Sequence, residues 1–455
     1  MNTPRTLVIL ALACAGLDAS AKFLPLAAST ATTATTTTNS TTTKTTVVVV
    51  PPVTPPVTPP VLPPVTPPPP RKVPAIRKYP PPHFGDNRIK PGVLALFGDP
   101  LPNLTIQQMN QFLDGRDGFV LPQTVVGGLG PIFNRSSCVE CHSSGGIGGG
   151  SVINATRFAL NLNGRFDSLE ALGGSLLQER TIHPLAQEFV PRSANVVILR
   201  NSTPLFGLGL IEAIPDGNII SNRRNYGNDQ IHGRVNIVTD VVSGKPMVGR
   251  FGWKAQHATL TAFSADAYLN EMGITNKHFR VENAPNGNLK LLESYDSTLD
   301  PEDQGVGGRM PEFEMVAHFM RLLGAPPVKP APAGGLALFS LVGCAQCHTP
   351  TLRTGPNTQV AALNYKDVSL YSDLLLHNMG TLGDGIFQAG ASGSEIRTPP
   401  LWGARMSAPY LHDGRAPTID AAIRAHEGEG RIVRDRYLKL NAAQQKLLAD
   451  FVLSL

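Results

Sequence analysis

CVECH at residues 138–142 and CAQCH at residues 344–348 are the two stretches that decide how this chain folds. Each stretch sets two thiols three residues apart and places an imidazole directly after the second thiol. Four of the five cysteines in the chain belong to these two stretches. The residues that the repeated pattern supplies are Cys138, Cys141 and His142, then Cys344, Cys347 and His348. Two copies of one pattern predict two similar local sites in one chain.

The pattern has a specific chemical meaning, because C-x-x-C-H is the attachment signature of haem c. The two thiols add to the two vinyl groups of one porphyrin, and the adjoining histidine then lies beneath the iron as its proximal ligand. One zinc site made from all four cysteines, or structural disulfides, are alternatives. Neither alternative explains why both cysteine pairs end in histidine. We therefore expect two covalently bound haem c groups as cofactors.

The sequence around the second copy predicts the fold class. An apolar helix over residues 335–342 leads into it, and Asn441 can cap a closing helix. The apolar face of that closing helix consists of Leu447, Leu448, Phe451, Val452 and Leu455. This layout is typical of a cytochrome c domain. We expect a mainly α protein with two cytochrome c-like domains, 83–330 and 331–455, and a small β-hairpin insertion at 235–242 and 247–251.

The first 82 residues predict export rather than a folded domain. Arg5, an apolar run over residues 7–16 and the Ala19-Ser20-Ala21 site form a signal peptide, 1–21. Its product would be periplasmic or secreted, and Cys14 offers an alternative lipid anchor. Residues 22–82 are a Thr/Pro-rich segment, which favours a disordered or polyproline II spacer. Such a spacer could attach the folded part to the cell envelope.

The charge distribution argues against a nucleic-acid partner. The spacer contains six Lys or Arg residues and no acidic residue, whereas the chain beyond residue 82 has 32 basic and 33 acidic residues. The basic balance therefore comes from the spacer, and the globular part has no basic patch of the kind that nucleic acids require.

Five further motifs resemble those of the di-haem c-type oxidoreductase family, whose members are labelled thiol oxidoreductases. They are GPIFN at 130–134, FGWKA at 251–255, MGIT at 272–275, RTPPLWG at 397–403 and APYLHDG at 408–414. The resemblance covers about residues 85–455 and extends to bacterial di-haem cytochrome c peroxidases. It implies a peroxidase-like enzyme that pairs an electron-relay haem with a haem that meets an oxidant. The thiol label gains no support, because no free cysteine would remain in the folded part once both haems are attached.

The partners that this resemblance implies are an oxidant such as hydrogen peroxide and an electron donor, either a small redox protein or the quinol pool. Two alternatives stay open. One is a di-haem electron carrier with no substrate of its own. The other is haem-dependent oxidation of another protein or of an organic molecule.

The far side of the second iron has one preferred candidate ligand. Thr418 can cap a short helix in which Ile419, Ala422, Ile423 and His426 share one face. The related peroxidases carry a methionine ligand in this helix, so the resemblance implies that His426 is the second axial ligand. Met379 is the alternative. His377 and His412 are expected to hold haem propionates or to fold the loop.

The first iron is expected to have an open or water-occupied position, because no histidine follows His142 before His183. This makes it the reactive site. Peroxide cleavage needs an acid–base group to move a proton, and Glu271 resembles the distal glutamate of the peroxidases. Glu271 could instead be an ordinary carboxylate on the surface of a helix. Glu212 is a weaker candidate for the acid–base group. Phe263 stands where the peroxidases have a glutamine.

Trp253 resembles the tryptophan that lies between the two haems and relays electrons, although a core tryptophan beside the hairpin is also consistent with its position. Electrons would then enter at the second haem and pass Trp253 to reach the first. Asn201, Thr398 and Pro400 sit where related peroxidases bind an inter-domain calcium ion, through one side-chain and two backbone oxygens.

Overall fold

The structure is a computed structural model that describes residues 96–223, 230–305 and 307–455. All of these residues belong to one compact unit. The signal peptide, Cys14 and the Thr/Pro-rich spacer lie outside the described residues, and the domain boundary near residue 330 stays a prediction. No described helix is both long enough and apolar enough to cross a membrane.

The described residues are helix-rich, as the sequence predicts. The helices are α1 (Ile106–Val120), α2 (Leu208–Glu212), α3 (Asp216–Ile220), α4 (Leu260–Met272), α5 (Leu289–Tyr295), α6 (Glu312–Leu322), α7 (Gly335–Val342), α8 (Ile419–Arg424), α9 (Arg431–Leu438) and α10 (Ala442–Ser454). The strands are β1 (Ile132–Phe133), β2 (Asn154–Leu162), β3 (Arg165–Asp167), β4 (Arg180–Thr181), β5 (Val196–Asn201), β6 (Asn236–Thr239), β7 (Pro246–Gly249), β8 (Leu352–Arg353), β9 (Asp367–Val368), β10 (Leu376–Asn378) and β11 (Glu395–Arg397).

The β structure is more extensive than the single hairpin that the sequence predicts. That hairpin is present as β6 and β7, with Asn236 opposite Gly249. The described residues also form a three-stranded sheet in the order β3-β2-β5 and three further two-stranded sheets. Most of these strands have only two or three residues, too few to show the alternating pattern by which a strand is recognised.

A core between α1 and α6 supports the first motif. Gly115 of α1 allows this packing, since a Cβ at that position would lie 2.0 Å from the backbone oxygen of Met315. The ring of Phe119 then packs 5.0 Å from that of Phe319 and 6.2 Å from the imidazole of His142. The α1–α6 pair therefore forms a rigid apolar wall beside the first motif.

A second core surrounds α7 and α10, and the sequence predicts both helices correctly. Asn441 and Gln444 form a capping box at the start of α10. The rings of Phe339 and Phe451 pack 5.4 Å apart between the two helices. Two apolar residues of α7, Leu336 and Leu341, are 49% and 78% exposed. Only one face of α7 packs against α10.

A buried ion triad fixes the segment that carries Trp253. Asp384 lies 2.6 Å from Arg200 and 2.9 Å from Lys254, and the side chains of Asp384 and Lys254 are fully buried. Burial alone would raise the pKa of Asp384, but the two cations outweigh it and hold that pKa below its usual value. The contribution of this carboxylate to stability is therefore lost as the pH falls through its pKa in the folded protein.

Replacing Asp384 with asparagine is expected to destabilise the protein by roughly 3–5 kcal/mol, because two buried cations lose their partner. Urea unfolding at pH 7 measures this loss. Asp367→Asn is the matched control, since Asp367 pairs with Arg353 at an exposed site and should contribute no more than about 1 kcal/mol. Equal losses in the two variants would contradict the assignment of a structural role to the triad.

Candidate functional site

The two motifs adopt the same local conformation. Each forms a short 3₁₀ turn, over Cys138–Glu140 and Cys344–Gln346. The histidine that follows each turn donates its backbone N–H to the first cysteine, over 3.0 Å for His142 and 2.9 Å for His348. None of the four cysteines forms a disulfide in the described structure. Burial raises the pKa of Cys138 and of Cys344 to about 12.

Three of the described imidazoles, those of His142, His348 and His426, each have a backbone carbonyl oxygen at Nδ1. The Nδ1 atom of His142 lies 3.1 Å from the Gly149 carbonyl oxygen. That of His348 lies 3.0 Å from the Tyr371 carbonyl oxygen. A neutral imidazole that donates from Nδ1 keeps a lone pair on Nε2, which is the usual arrangement of a metal-bound histidine. His426 repeats the arrangement, with its Nδ1 atom 2.8 Å from the carbonyl oxygen of Ala422. An imidazole that donates from Nδ1 to a backbone carbonyl in this way is called ligand-ready below.

Electrostatics keep these histidines neutral. Burial, opposed by hydrogen bonding to the backbone of Gly149 and Thr203, lowers the pKa of His142 to about 4. Burial and the nearby His426 lower that of His348 to about 4 as well. Burial also lowers the pKa of His426. At neutral pH each ring is therefore in the unprotonated form that binds a metal.

The glycine-rich run after the first motif orients His142. The chain folds back so that the Gly149 carbonyl reaches the imidazole, and a Cβ at Gly149 would lie only 2.0 Å from the Ser144 oxygen. Glycine is therefore required at this point of the loop. The sequence shows the run, but its role in holding the ring depends on a contact that the run alone does not reveal.

A large cavity holds the second set of predicted residues together. The space opens to solvent at its mouth and is lined mainly by apolar side chains. The predicted residues that line it include Cys344, Cys347, His348, His426, Met379 and Trp253. Two thiols and two imidazoles with an Nε2 lone pair face this mainly apolar space, and these residue types fit a porphyrin.

The alternatives for these residues fare differently. In the described part of the chain, the four thiols do not gather into one cluster of possible metal ligands, which removes the basis for a four-cysteine zinc site. Met379 and His426 lie close together, since a Cβ built on Gly430 would contact both side chains. Their positions alone therefore do not decide which of them is the axial ligand. His426 itself lies just beyond α8, whose predicted cap, Thr418, accepts from the Ala421 N–H.

His377 and His412 do not share the ligand-ready orientation. The two ring nitrogens of His377 lie 2.9 Å from Asp373 and 2.8 Å from Glu429. Burial by itself lowers the pKa of His377, but its acidic neighbours and Cys347 raise it well above the usual value. His412 packs edge-on against Trp253 at 6.2 Å. His377 therefore braces the loop through its carboxylate partners.

Trp253 lines the large cavity. Its indole Nε1 donates to the Asn201 carbonyl oxygen over 2.7 Å. Two residues further along, the backbone of Thr203 lies close enough to the His142 ring to raise its pKa. A short length of backbone thus links the contact of the indole to the surroundings of the first imidazole.

Glu271 lies next to the first motif, at the end of α4. Its Oε2 atom accepts a hydrogen bond of 2.8 Å from Asn134, and its main-chain oxygen accepts from the N–H groups of Asn134 and Arg135. Burial raises the pKa of Glu271. Its charge is in turn one of the influences that raise the pKa of Cys138 and Cys141. Glu271 is therefore a half-buried residue whose carboxylate lies beside the first cysteine pair.

Two neighbours of Glu271 are functional candidates that the sequence analysis missed. Asn134 is 5% exposed and fixes the carboxylate; it lies in the GPIFN motif, which was the available signal. Arg157 interacts electrostatically with Glu271, and burial lowers the pKa of Arg157 to about 10. Among the residues that the structure describes, its Nε has no hydrogen-bond partner. No sequence pattern pointed to Arg157.

Glu212, the weaker candidate for the acid–base role, is engaged elsewhere. Its carboxylate binds Arg321 at 2.6 Å and accepts from the Leu260 N–H at the start of α4. Phe263 lines the large cavity and stacks on Phe251 with ring centroids 6.0 Å apart.

The residues expected to bind an inter-domain calcium ion offer a mixed set of oxygens. The Oδ1 atom of Asn201 is buried and has no hydrogen-bond partner among the described residues, as an available ligand would be. The Thr398 carbonyl already accepts from Ser372 at 2.7 Å and from the Arg397 guanidinium at 3.1 Å. Only one of these two oxygens is therefore free to bind a cation.

Two identical turns with paired thiols and ligand-ready imidazoles, carried by a helix-rich fold, define the class of di-haem proteins. Residues 192–455 match the model of the family described as "di-haem oxidoreductase, putative peroxidase". The chain belongs to this di-haem oxidoreductase family. The matched residues include the second motif, Trp253, Glu271 and His426, whereas the first motif lies before them.

Among solved structures, the chain is similar to three proteins that are each 13–14% identical to it. Hydrazine synthase of Kuenenia stuttgartiensis has a TM-score of 0.34, with 79% of this chain and 90% of that chain covered. A MauG-like protein associated with microbial copper homeostasis has a TM-score of 0.34, with 80% and 94% covered. A variant of the di-haem peroxidase BthA of Burkholderia thailandensis has a TM-score of 0.35, with 79% and 87% covered. Likeness at this level carries no argument about function. No curated protein matches the chain.

Proposed function

We propose that this protein is an exported di-haem c-type oxidoreductase that reduces a peroxide. The overall reaction converts one hydrogen peroxide, two electrons and two protons into two water molecules. The observation that carries the proposal is how the three ligand-ready imidazoles described above are divided between the two motif sites. Two of them, His348 and His426, face one cavity, whereas His142 is the one of the three that belongs to the first motif.

The second site has the residues of an electron relay. Cys344 and Cys347 would attach the porphyrin, and His348 and His426 would hold the two faces of the iron. When bound, haem supplies one-electron redox chemistry, and an iron with six strong ligands passes electrons without binding substrate. The Ala422 carbonyl favours His426 over Met379, because it already holds the imidazole with Nε2 free.

The first site has the residues of a reactive centre. Cys138 and Cys141 would attach the porphyrin and His142 would hold it from one side. Glu271 then serves as the acid–base group, with Asn134 fixing its carboxylate. Its raised pKa brings it closer to neutral pH, where one carboxyl can both accept and return a proton. Trp253 provides an indole between the two sites.

The spectrum of the ferric protein tests this proposal. We expect one high-spin and one low-spin haem in the purified full-length protein, or such a mixture after reduction by one electron. Hydrogen peroxide should abolish the high-spin band and oxidise an added electron donor. Two low-spin haems that stay unreactive in every redox state would reject the peroxidase assignment and favour an electron carrier.

Export and electron delivery complete the proposal. Cleavage of the signal peptide after Ala21 would give a mature chain that begins at Lys22, with the Thr/Pro-rich spacer ahead of the folded part. Electrons would come from a small redox protein or the quinol pool. N-terminal sequencing of the protein from a periplasmic fraction tests the cleavage, and an intact Met1 would contradict export by this signal.

A further inference from the structure

We infer that Glu282, Asp300 and Glu302 form a binding site for Ca²⁺, remote in sequence from Asn201, Thr398 and Pro400. Each residue offers a carboxylate oxygen, and these oxygens all lie within 4.8 Å of one another. Calcium binds oxygen at about 2.3–2.6 Å, so two ligands across the ion are at most about 5 Å apart. Oxygens within this reach of one another fit calcium, which accepts six to eight oxygen ligands in a flexible geometry, whereas magnesium demands a near-ideal octahedron.

An unpartnered buried oxygen is the second observation that points to a cation. Glu282 is 8% exposed, and its Oε2 atom has no hydrogen-bond donor among the described residues. Its other oxygen accepts only the N–H of Asn283, at 3.1 Å. A buried carboxylate oxygen without a partner is costly. A cation bound by the three carboxylates would supply the missing partner.

The local charge balance supports the same inference. Burial and the charge of Glu302 raise the pKa of Glu282 to about 9. Burial, Asp296 and Asp300 raise the pKa of Glu302 to about 8. No basic side chain is among the main influences on either group. Without an ion these carboxyls therefore resist ionisation at neutral pH, and a divalent cation would stabilise their ionised forms.

The backbone around Thr275 builds the site before any ion arrives. The Thr275 N–H donates to Glu302 Oε2 over 2.8 Å, and the Glu302 N–H donates to the Thr275 hydroxyl oxygen over 3.1 Å. The same hydroxyl donates to Asp300. Thr275 is completely buried, whereas Asp300 is exposed and leaves the cluster accessible from solvent. The carboxylates are thus preorganised with an open entry side.

The position of the cluster suggests what a bound ion would do. Thr275 lies three residues beyond the end of α4, which carries Glu271 near its own end. Asp303, next to Glu302, accepts the first two N–H groups of α6, each over 2.9 Å. An ion at the cluster would therefore fasten the end of α4 to the start of α6. This inference does not depend on the proposed peroxidase activity.

Calorimetry and thermal unfolding of the chelator-treated, full-length holoprotein test the site. We expect Ca²⁺ to bind more tightly than Mg²⁺, and a 100-fold excess of Ca²⁺ over its Kd to raise Tm by about 5 °C. Glu282→Gln and Glu302→Gln should each abolish this binding event and its Tm shift. Glu293→Gln, an equal charge change at an exposed position of the neighbouring α5, should retain both.

The outcomes separate the inference from its rivals. Equal Ca²⁺ binding by the wild type and by both cluster variants would place the ion elsewhere and overturn the inference. No Ca²⁺ binding by the wild type would also overturn it, as would tighter binding of Mg²⁺. Glu302→Gln keeps the test valid if Glu282→Gln fails to fold, and each result can be read with no measurement of turnover.

Discussion

Replacing Cys344 and Cys347 together with alanine is expected to halve the covalently bound haem and to abolish peroxide turnover. The chain would keep only the first attachment site, so electrons could no longer reach it through the second. We expect a loss of at least about 10³-fold in rate, which corresponds to about 4 kcal/mol in the barrier. Denatured pyridine spectra count the haem, and the intact mass confirms its attachment.

The complementary variant, with Cys138 and Cys141 replaced, makes this expectation sharper. Each double variant should hold one haem, but the two haems should differ in spin state and in their reaction with peroxide. The chain that keeps the second motif should be low-spin and inert to peroxide, whereas the chain that keeps the first should retain a peroxide-sensitive high-spin band. Ala345→Ser, inside the second motif, is the control and should keep both haems. Two covalent haems in either double variant would refute the attachment assignment.

Glu271→Gln is expected to lower the turnover of peroxide by about 10²–10⁴-fold, the usual contribution of a general acid–base group. Glutamine preserves the size of the side chain and can still contact Asn134, but it cannot take up a proton. The ionised carboxylate is the form that accepts the first proton. The rate of the wild type should therefore rise with pH through the raised pKa of Glu271, and this limb should vanish in the variant.

Glu212→Gln is the matched control for that experiment. Glu212 forms an ion pair with Arg321, so this substitution should lower the free energy of unfolding. The rise of the turnover rate with pH should remain. A Glu271→Gln enzyme that keeps both the wild-type rate and the wild-type pH profile would show that the proton travels by another route. The partly unpartnered guanidinium of Arg157 would then be the next group to vary.

Local features of the fold could be predicted because their signals are local. The bounds of α7, the Asn441 cap of α10 and the Thr418 cap of α8 all follow from the spacing of apolar residues and one capping side chain. The paired thiols and their histidines follow from the fixed spacing of an attachment motif. These residues needed no knowledge of the tertiary structure, because each signal lies within one or two helical turns.

The features that sequence reasoning missed depend on contacts between distant parts of the chain. Asn134 and Glu271 are 137 residues apart, and Arg200 and Asp384 are 184 apart. No periodicity records such a pair, and a buried charge looks the same in a sequence as an exposed one. The small sheets were missed for a related reason, since strands of two or three residues are stabilised by pairing rather than by their own composition.

The way in which the main chain holds Glu271 has a consequence for protein engineering. Its carbonyl oxygen accepts two backbone N–H groups from the segment that leads into the first motif, and this clamp does not involve the side chain. A library of substitutions at this single position should therefore leave the scaffold in register. Such a library offers a direct route by which laboratory evolution could retune which oxidants the protein accepts.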